Sequence, residues 1–343
     1  MKKRLKIAQI GVRHEHAEGK MATMRTMPDE FEIVGVCAES PADRETFGRR
    51  ACYEGLRWMS QEEILNYPGL DAVAVETAMT ELVPTAMRCA ERGLPMHMDK
   101  PGGENLEEFD KLLDLCRKNH VILQMAYMFR GNPAIQFCIE AARKGWFGQI
   151  FEVYTSMSRG RDSQPFRQWL STYRGGGIFD FGSHLVDILI SMLGAPDRIV
   201  SFQQQLDADG LNDNGHAVLL YPKTIATIQT ALQQADGQRS RRLFVSGTNA
   251  TFELCPLEQG YIAYPKFNDT PLSARFFLKE GNESFAAGEH MLTFGPMRHR
   301  YIDQLEDFAA YLRGEKQNPY TLEHEHLVQK TVLAVSGYTE WKK

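Results

Sequence analysis

Leu5-Lys6-Ile7-Ala8-Gln9-Ile10-Gly11-Val12-Arg13-His14-Glu15-His16 is a short apolar run that stops at a glycine and passes into a helical pattern from Ala17 to Met27. A strand, a glycine turn and a helix in that order begin a parallel sheet with crossover helices. The alternation continues outward. Strands are expected at Glu32 to Ala38, Asp71 to Val75, Pro95 to Asp99 and Val121 to Tyr127, with helices from Pro41, from Pro84 to Arg92 and from Glu104 to Arg117. This first part, residues 1–128, reads as a doubly wound domain of the Rossmann kind.

A helix from Pro133 to Gly145 follows, and then the pattern changes to longer strands: Ile150 to Ser158, Arg198 to Leu206, His216 to Tyr221, Thr224 to Leu232, Arg241 to Ser246 and Ala250 to Leu254. Residues 129–343 are therefore expected to form an α+β domain with a largely antiparallel open sheet, giving an α/β fold class for the whole. Two last helices, Tyr301 to Arg313 and Glu323 to Glu340, are expected to return over the body, the first domain included.

Within the second part, Arg174-Gly175-Gly176-Gly177-Ile178-Phe179-Asp180-Phe181-Gly182-Ser183-His184-Leu185-Val186-Asp187 places three glycines before a helix. At ~100° per residue, Asp180, His184 and Asp187 share one stripe, and Ile178, Phe181, Leu185, Leu189 and Met192 lie opposite. A stripe of short proton-positioning groups differs from an ordinary solvated face of Lys, Glu and Gln, and carboxylate with imidazole is general acid/base equipment. The glycines would let the backbone bend and a ligand come close.

Composition excludes several classes. The 343 residues carry 39 basic and 44 acidic side chains, a formal net charge of -5, with no basic cluster beyond Arg239 to Arg242. Nucleic acid and anionic membrane are not indicated as partners. The six cysteines are scattered with no C-x-x-C spacing, as expected for reduced thiols of a cytoplasmic protein. Met1 to Arg4 followed by Leu5 to Ile10 reads as a strand, not a signal, and no apolar run of ~20 residues suggests a membrane span.

Two turns sit where open parallel sheets bind ligands. Gly11-Val12-Arg13-His14-Glu15-His16 keeps only the first glycine of a G-x-G-x-x-G dinucleotide turn, so Arg13 or His14 could supply phosphate contacts that backbone normally makes. Glu39, after Cys37-Ala38, could reach a ribose hydroxyl, and Arg44 is the nearest candidate for a further phosphate. Met98-Asp99-Lys100-Pro101-Gly102-Gly103 puts a lysine at the end of a strand. Two His-Glu-His triplets, His14 to His16 and His324 to His326, raise the question of metal. On a helix, positions i and i+2 point apart, so His324 and His326 cannot chelate together unless that stretch is extended. No metal site is assigned, and a divalent ion held with water by Asp180, His184 and Asp187 belongs to the non-redox alternative.

Lys100-Pro101, Tyr127 with Arg130-Gly131-Asn132-Pro133, and Gly175 to Gly177 with Asp180, Gly182, His184 and Asp187 together resemble the Gfo/Idh/MocA family of sugar and polyol dehydrogenases. The resemblance runs along nearly the whole chain, with Asp99 in place of the family glutamate and Thr77-Ala78-Met79-Thr80 in place of a Pro-Asn segment. It implies a dinucleotide site at Gly11, Arg13, His14, Glu39, Thr77 and Lys100, and a substrate site at Lys100, Tyr127, Arg130, Asp180 and His184. NAD is expected, with NADP as the alternative. His184 would take the hydroxyl proton, Lys100 would hold the developing alkoxide and Asp180 would orient them, since an imidazole titrates near ~6.5 and a lysine near ~10.4. The substrate would be a small sugar or polyol and the assembly a homodimer or homotetramer. Two rival expectations are a redox-neutral or non-redox sugar-processing enzyme, an NAD-assisted glycoside hydrolase or a lyase, some of them metal-dependent, and a ligand-sensing regulatory protein.

Overall fold

The computed structural model describes residues 2–259, 270–296 and 298–343, and its chain divides into two compact units. The first holds residues up to Met128 together with His299–Gln329, and the second runs from Phe129 and takes in Lys330–Lys343.

In the first unit the order is β1 (Leu5–Ile10), α1 (Ala17–Arg25), β2 (Phe31–Cys37), α2 (Pro41–Phe47), α3 (Gln61–Leu65), β3 (Ala72–Val75), α4 (Met79–Glu91), β4 (Met96–Met98), α5 (Leu106–Lys118) and β5 (Leu123–Met125). The strands are parallel in the order β2-β1-β3-β4-β5. Every residue of β3 is buried, as a strand covered on both faces requires. The strand order reverses between β1 and β3, and the carboxyl ends at such a switch point form the ligand crevice of open α/β sheets. Local signals fix the helices: Ser40 accepts the Asp43 amide ahead of Pro41, and Asn105 accepts the Glu107 amide. The helix expected from Pro84 instead begins at Met79 and runs through the proline. Buried Met79, Leu82 and Val83 tie its first turns to the core, which outweighs the one amide that proline lacks.

The second unit continues with α6 (Pro133–Arg143), β6 (Ile150–Ser156), α7 (Gln164–Ser171), α8 (Gly176–Asp180), α9 (Gly182–Leu193), β7 (Arg198–Gln204), β8 (Asn214–Leu220), β9 (Ile225–Ala231), β10 (Arg242–Gly247), β11 (Ala250–Leu254), β12 (Pro271–Leu278) and β13 (Gly288–Pro296). These described strands make one sheet, β13-β12-β11-β10-β6-β9-β8-β7, antiparallel except for the β6–β9 pair. Ala217, Leu219, Ala226, Ile228, Leu243, Val245, Phe252 and Phe276 form its buried face, and α8 and α9 pack on β8 and β9. Each such Leu, Ile, Val or Phe contributes roughly 1.5–3 kcal/mol by leaving water.

After β13 come α10 (Ile302–Leu312) and α11 (Leu322–Val335). Tyr301, Leu305, Phe308 and Ala309 join Leu5, Ile7, Met21, Phe31, Val36 and Ala72 in one hydrophobic cluster, so α10 completes the core of the first unit. The last helix ends earlier than expected, at Val335, with Gly337 in the positive-φ conformation just beyond it.

Candidate functional site

At the switch point, the turn after β1 meets the residues after β3. Gly11 has φ +101°, and a Cβ there would lie 2.2 Å from the Thr77 amide nitrogen, so only glycine fits. Beside it opens a cavity of about 410 Å³ lined by residues that include Gly11, Ala38, Glu39, Thr77, Glu81 and Arg88. That volume is in the range of small-molecule sites. The Glu39 carboxylate accepts the backbone amides of Val12 (3.1 Å), Arg13 (3.3 Å) and Ala78 (3.1 Å). Burial pushes the Glu39 carboxyl above its ordinary range, with these amides working in the opposite direction. A dinucleotide fits in two respects: glycine permits close approach and the carboxylate suits ribose hydroxyls, while the amides of Val12, Arg13 and Ala78 serve to hold that carboxylate.

Of the other nucleotide residues expected from sequence, Arg13 is half exposed and reaches toward Asp43 at 3.7 Å. His14 is buried and turned away from the cavity, its Nδ1 3.5 Å from Asp99 Oδ2. Arg44 lies against the ring of Trp58. The cavity's own arginine is Arg88, whose Nε is buried without a hydrogen-bond partner. Nothing in the sequence singles it out, because it lies inside α4, well away from either turn.

Lys100 follows β4 and is 1% exposed. Its backbone N–H donates to Asp99 Oδ1 at 2.8 Å. Asp99 is the centre of a buried polar cluster: Lys20 Nζ lies 3.1 Å from Asp99 Oδ2 and 3.0 Å from Glu76 Oε1, and His16 Nδ1 is 3.1 Å from Asp99 Oδ1. Burial alone would raise the Asp99 carboxyl, but His14, Lys20 and His16 outweigh it and hold it well below the ordinary range. Glu76 is pushed well above its range, by burial first and by Asp99 against the opposing Lys20. Tyr127, after β5, is also fully buried.

In the second unit the expected single helix is broken. Phe181 ends α8 and begins α9, so Asp180 closes one helix while His184 stands in the first turn of the next. The stripe is not a solvated face either, since Asp180, His184 and Asp187 are 4%, 3% and 2% exposed. His184 packs edge-on against Phe129, with ring centroids 5.7 Å apart. Asp187 is held by Arg130, whose Nη2 donates at 2.6 Å and Nε at 3.1 and 3.2 Å. Arg130 thus binds the segment before α6 to α9. Asn132 fixes the same segment, accepting the amides of Ala134 and Ile135 and donating to the Leu257 carbonyl. The glycine run is not an open approach for a ligand. Cβ atoms there would meet Phe179 and Ser336 at Gly175, the Asn212 carbonyl at Gly176 and Leu232 at Gly177, so these glycines let the chain's own segments close in.

The residues expected from sequence therefore gather in two groups. Gly11, Glu39 and Thr77 line one cavity in the first unit, which also holds Lys100 and Tyr127, and Arg130 belongs with the buried Asp180, His184 and Asp187 in the second.

Residues 5–127 match the model of an oxidoreductase family with an NAD-binding Rossmann fold, and residues 135–253 match the C-terminal domain model of the same family. The chain belongs to the Gfo/Idh/MocA family. It is 23% identical over 327 residues to an uncharacterized oxidoreductase of Rhizobium meliloti, covering 93% of this chain and 94% of that one. It is 25% identical over 280 residues to the D-xylose 1-dehydrogenase (NADP(+)) 2 of Haloferax volcanii, 80% of each chain. Its fold matches that of the aldose-aldose oxidoreductase of Caulobacter crescentus complexed with glycerol, with a TM-score of 0.78 and 17% identity over 97% of this chain and 96% of that chain. This Gfo/Idh/MocA chain thus has a nucleotide unit typical in topology and unusual in its turn. Among its described residues no helix is long and apolar enough to cross a membrane.

Proposed function

We propose that the chain is an NAD-dependent dehydrogenase that removes hydride from a secondary hydroxyl of a sugar or polyol. The observation that carries this reading is Glu39, a carboxylate held inside the cavity at the end of β2 by backbone amides. An acidic group there suits a ribose diol and repels a 2′-phosphate. Bound nicotinamide supplies the hydride acceptor. Gly11 and Thr77 would line the dinucleotide, with Arg13 the side-chain candidate at the same turn; the Val12 and Arg13 amides are engaged by Glu39, and His14 faces Asp99 instead. His184 takes the hydroxyl proton, Lys100 is the fixed positive charge for the oxygen left behind, Asp180 orients the pair, and Tyr127 belongs to the substrate side.

Calorimetric titration tests the cofactor half. Wild type should bind NAD more tightly than NADP. Glu39→Gln should weaken NAD on the order of 10-fold, the loss of a charge-assisted hydrogen bond. A wild type that prefers NADP would reverse the assignment and direct attention to Arg88. Equal NAD affinity in Arg13→Ala would remove that side chain from the site. A panel of sugars and polyols, followed by the absorbance of reduced nicotinamide, then selects the substrate.

The reading includes a homo-oligomer in the cytoplasm. On the face of the large sheet opposite α8 and α9, Phe202, Ile225, Phe277 and Met291 are 61%, 53%, 37% and 65% exposed. Apolar residues of that size on one antiparallel face favour burial against a second copy. Light scattering at micromolar concentration should give a dimer or tetramer, and Ile225→Asp with Phe202→Asp should give a monomer. A monomeric wild type would exclude this interface.

A further inference from the structure

We infer that His14, His16 and Asp99 form a binding site for a divalent transition-metal ion of the zinc class. The inference goes beyond hydride transfer and rests on separate residues. The first His-Glu-His triplet is not helical. It lies in the turn ahead of α1, where the His16 amide donates to His14 Nδ1 at 3.3 Å and brings the two rings to 5.0 Å between centroids. Helical geometry keeps His324 and His326 of α11 from chelating together, and it does not apply to this turn. Asp99, arriving from the end of β4, completes the set: one ligand atom from each of the three residues lies within 4.8 Å of the others.

The chemistry of the three groups agrees with their placing. His14 Nδ1 faces the His16 amide at 3.3 Å, so it is the ring nitrogen that carries the lone pair, which an ion would take in place of this long contact, and it stands 3.5 Å from a carboxylate oxygen. His16 Nδ1 stands 3.1 and 3.2 Å from both oxygens of the same carboxylate. Electron-rich atoms brought this close need a shared cation or proton between them. Two imidazoles and one carboxylate suit zinc and its first-row neighbours, and three protein ligands leave a position open for water. The carboxylate is already oriented from behind, by Lys20 at 3.1 Å on Oδ2 and by the Lys100 amide at 2.8 Å on Oδ1. The Lys20 ammonium opposes a second cation nearby, and Glu76 at 3.0 Å offsets it. The His16 side chain is 20% exposed, whereas those of His14 and Asp99 are 2% and 0%, so His16 is the side on which an ion would enter.

The test uses the whole chain, stripped with a chelator and titrated with Zn²⁺ by calorimetry, with Co²⁺ absorption as a second reading of the coordination sphere. About one ion per chain is expected, with affinity falling on the order of 100-fold or more in His16→Ala and in His14→Ala. The double variant His324→Ala with His326→Ala should bind as wild type does. If His14→Ala does not fold, His16→Ala decides alone, because its ring is partly exposed. Failure of the wild type to take up stoichiometric metal would overturn the site. So would uptake unchanged in His16→Ala, or a loss that follows His324 and His326 instead. NAD affinity of the wild type is measured separately, so failure of the metal site and failure of the cofactor assignment give different results.

Discussion

Replacing His184 by alanine is expected to lower turnover on the order of 100-fold or more, with the circular dichroism spectrum unchanged. The ring is buried in the first turn of α9 and braced edge-on by Phe129, so its position is set before any substrate arrives. A base held in place contributes by accepting a proton as the hydride leaves, an interaction that grows toward the transition state. The loss should therefore fall on kcat and on kcat/KM together, and not on KM alone. Lys100→Ala should lose a comparable factor for a different reason, the removal of a fixed positive charge from the developing oxyanion. His184→Gln, which fills more of the buried space, separates chemistry from packing: it should fold at least as well as alanine and be equally slow. Unchanged turnover in His184→Ala with the true substrate would end the catalytic assignment of α9.

The second large effect is on stability. Arg130→Ala should destabilise the second unit by about 3–5 kcal/mol, because it leaves the Asp187 carboxylate buried without its guanidinium. Both side chains are nearly inaccessible, 4% and 3% exposed, and the pairing uses two guanidinium nitrogens. Solvent screening, which reduces most surface ion pairs to under about 1 kcal/mol, does not operate here. Urea unfolding followed by tryptophan emission reports it directly, since Trp146, Trp169 and Trp341 all belong to the second unit. Arg130→Met combined with Asp187→Leu should recover much of the loss by removing both charges. A cost below about 1 kcal/mol for Arg130→Ala would mean that the carboxylate finds water.

The strands and helices of the first unit are legible in the sequence because a buried parallel sheet writes itself as apolar runs between glycine, proline and capping residues. Gly11 and Glu39 are legible for the same reason, each standing at the end of a strand. Less legible is what a side chain will meet across the fold. Nothing local to Arg130 announces Asp187, which is distant in sequence, and the glycines at Gly175 to Gly177 look alike whether they admit a ligand or a neighbouring strand. The break at Phe181 is hidden too, because Gly182 to Leu193 continues the same apolar period as the turn before it. β12 and β13 escape because polar Arg275 and Glu289 are mixed with Phe277 and Met291 on the outward face, and His290 stands opposite Phe276 on the inward one. His14 and His16 stand ahead of the helix in the sequence as in the structure, and what the sequence hides is Asp99, which meets them from the end of β4.

The return of α10 to the first core has a consequence for how the molecule is made. Tyr301, Leu305, Phe308 and Ala309 are needed to close a cluster whose other members lie before Ala74 or at it. On a ribosome adding ~5–20 residues per second, the amino-terminal sheet waits roughly 10–40 s after Met128 is joined before those residues exist. The large sheet is synthesised entirely within that interval. The nucleotide unit is thus begun before the large sheet and closed only after it, and a fragment released at Met128 would carry an open apolar flank for which chaperones and proteases compete.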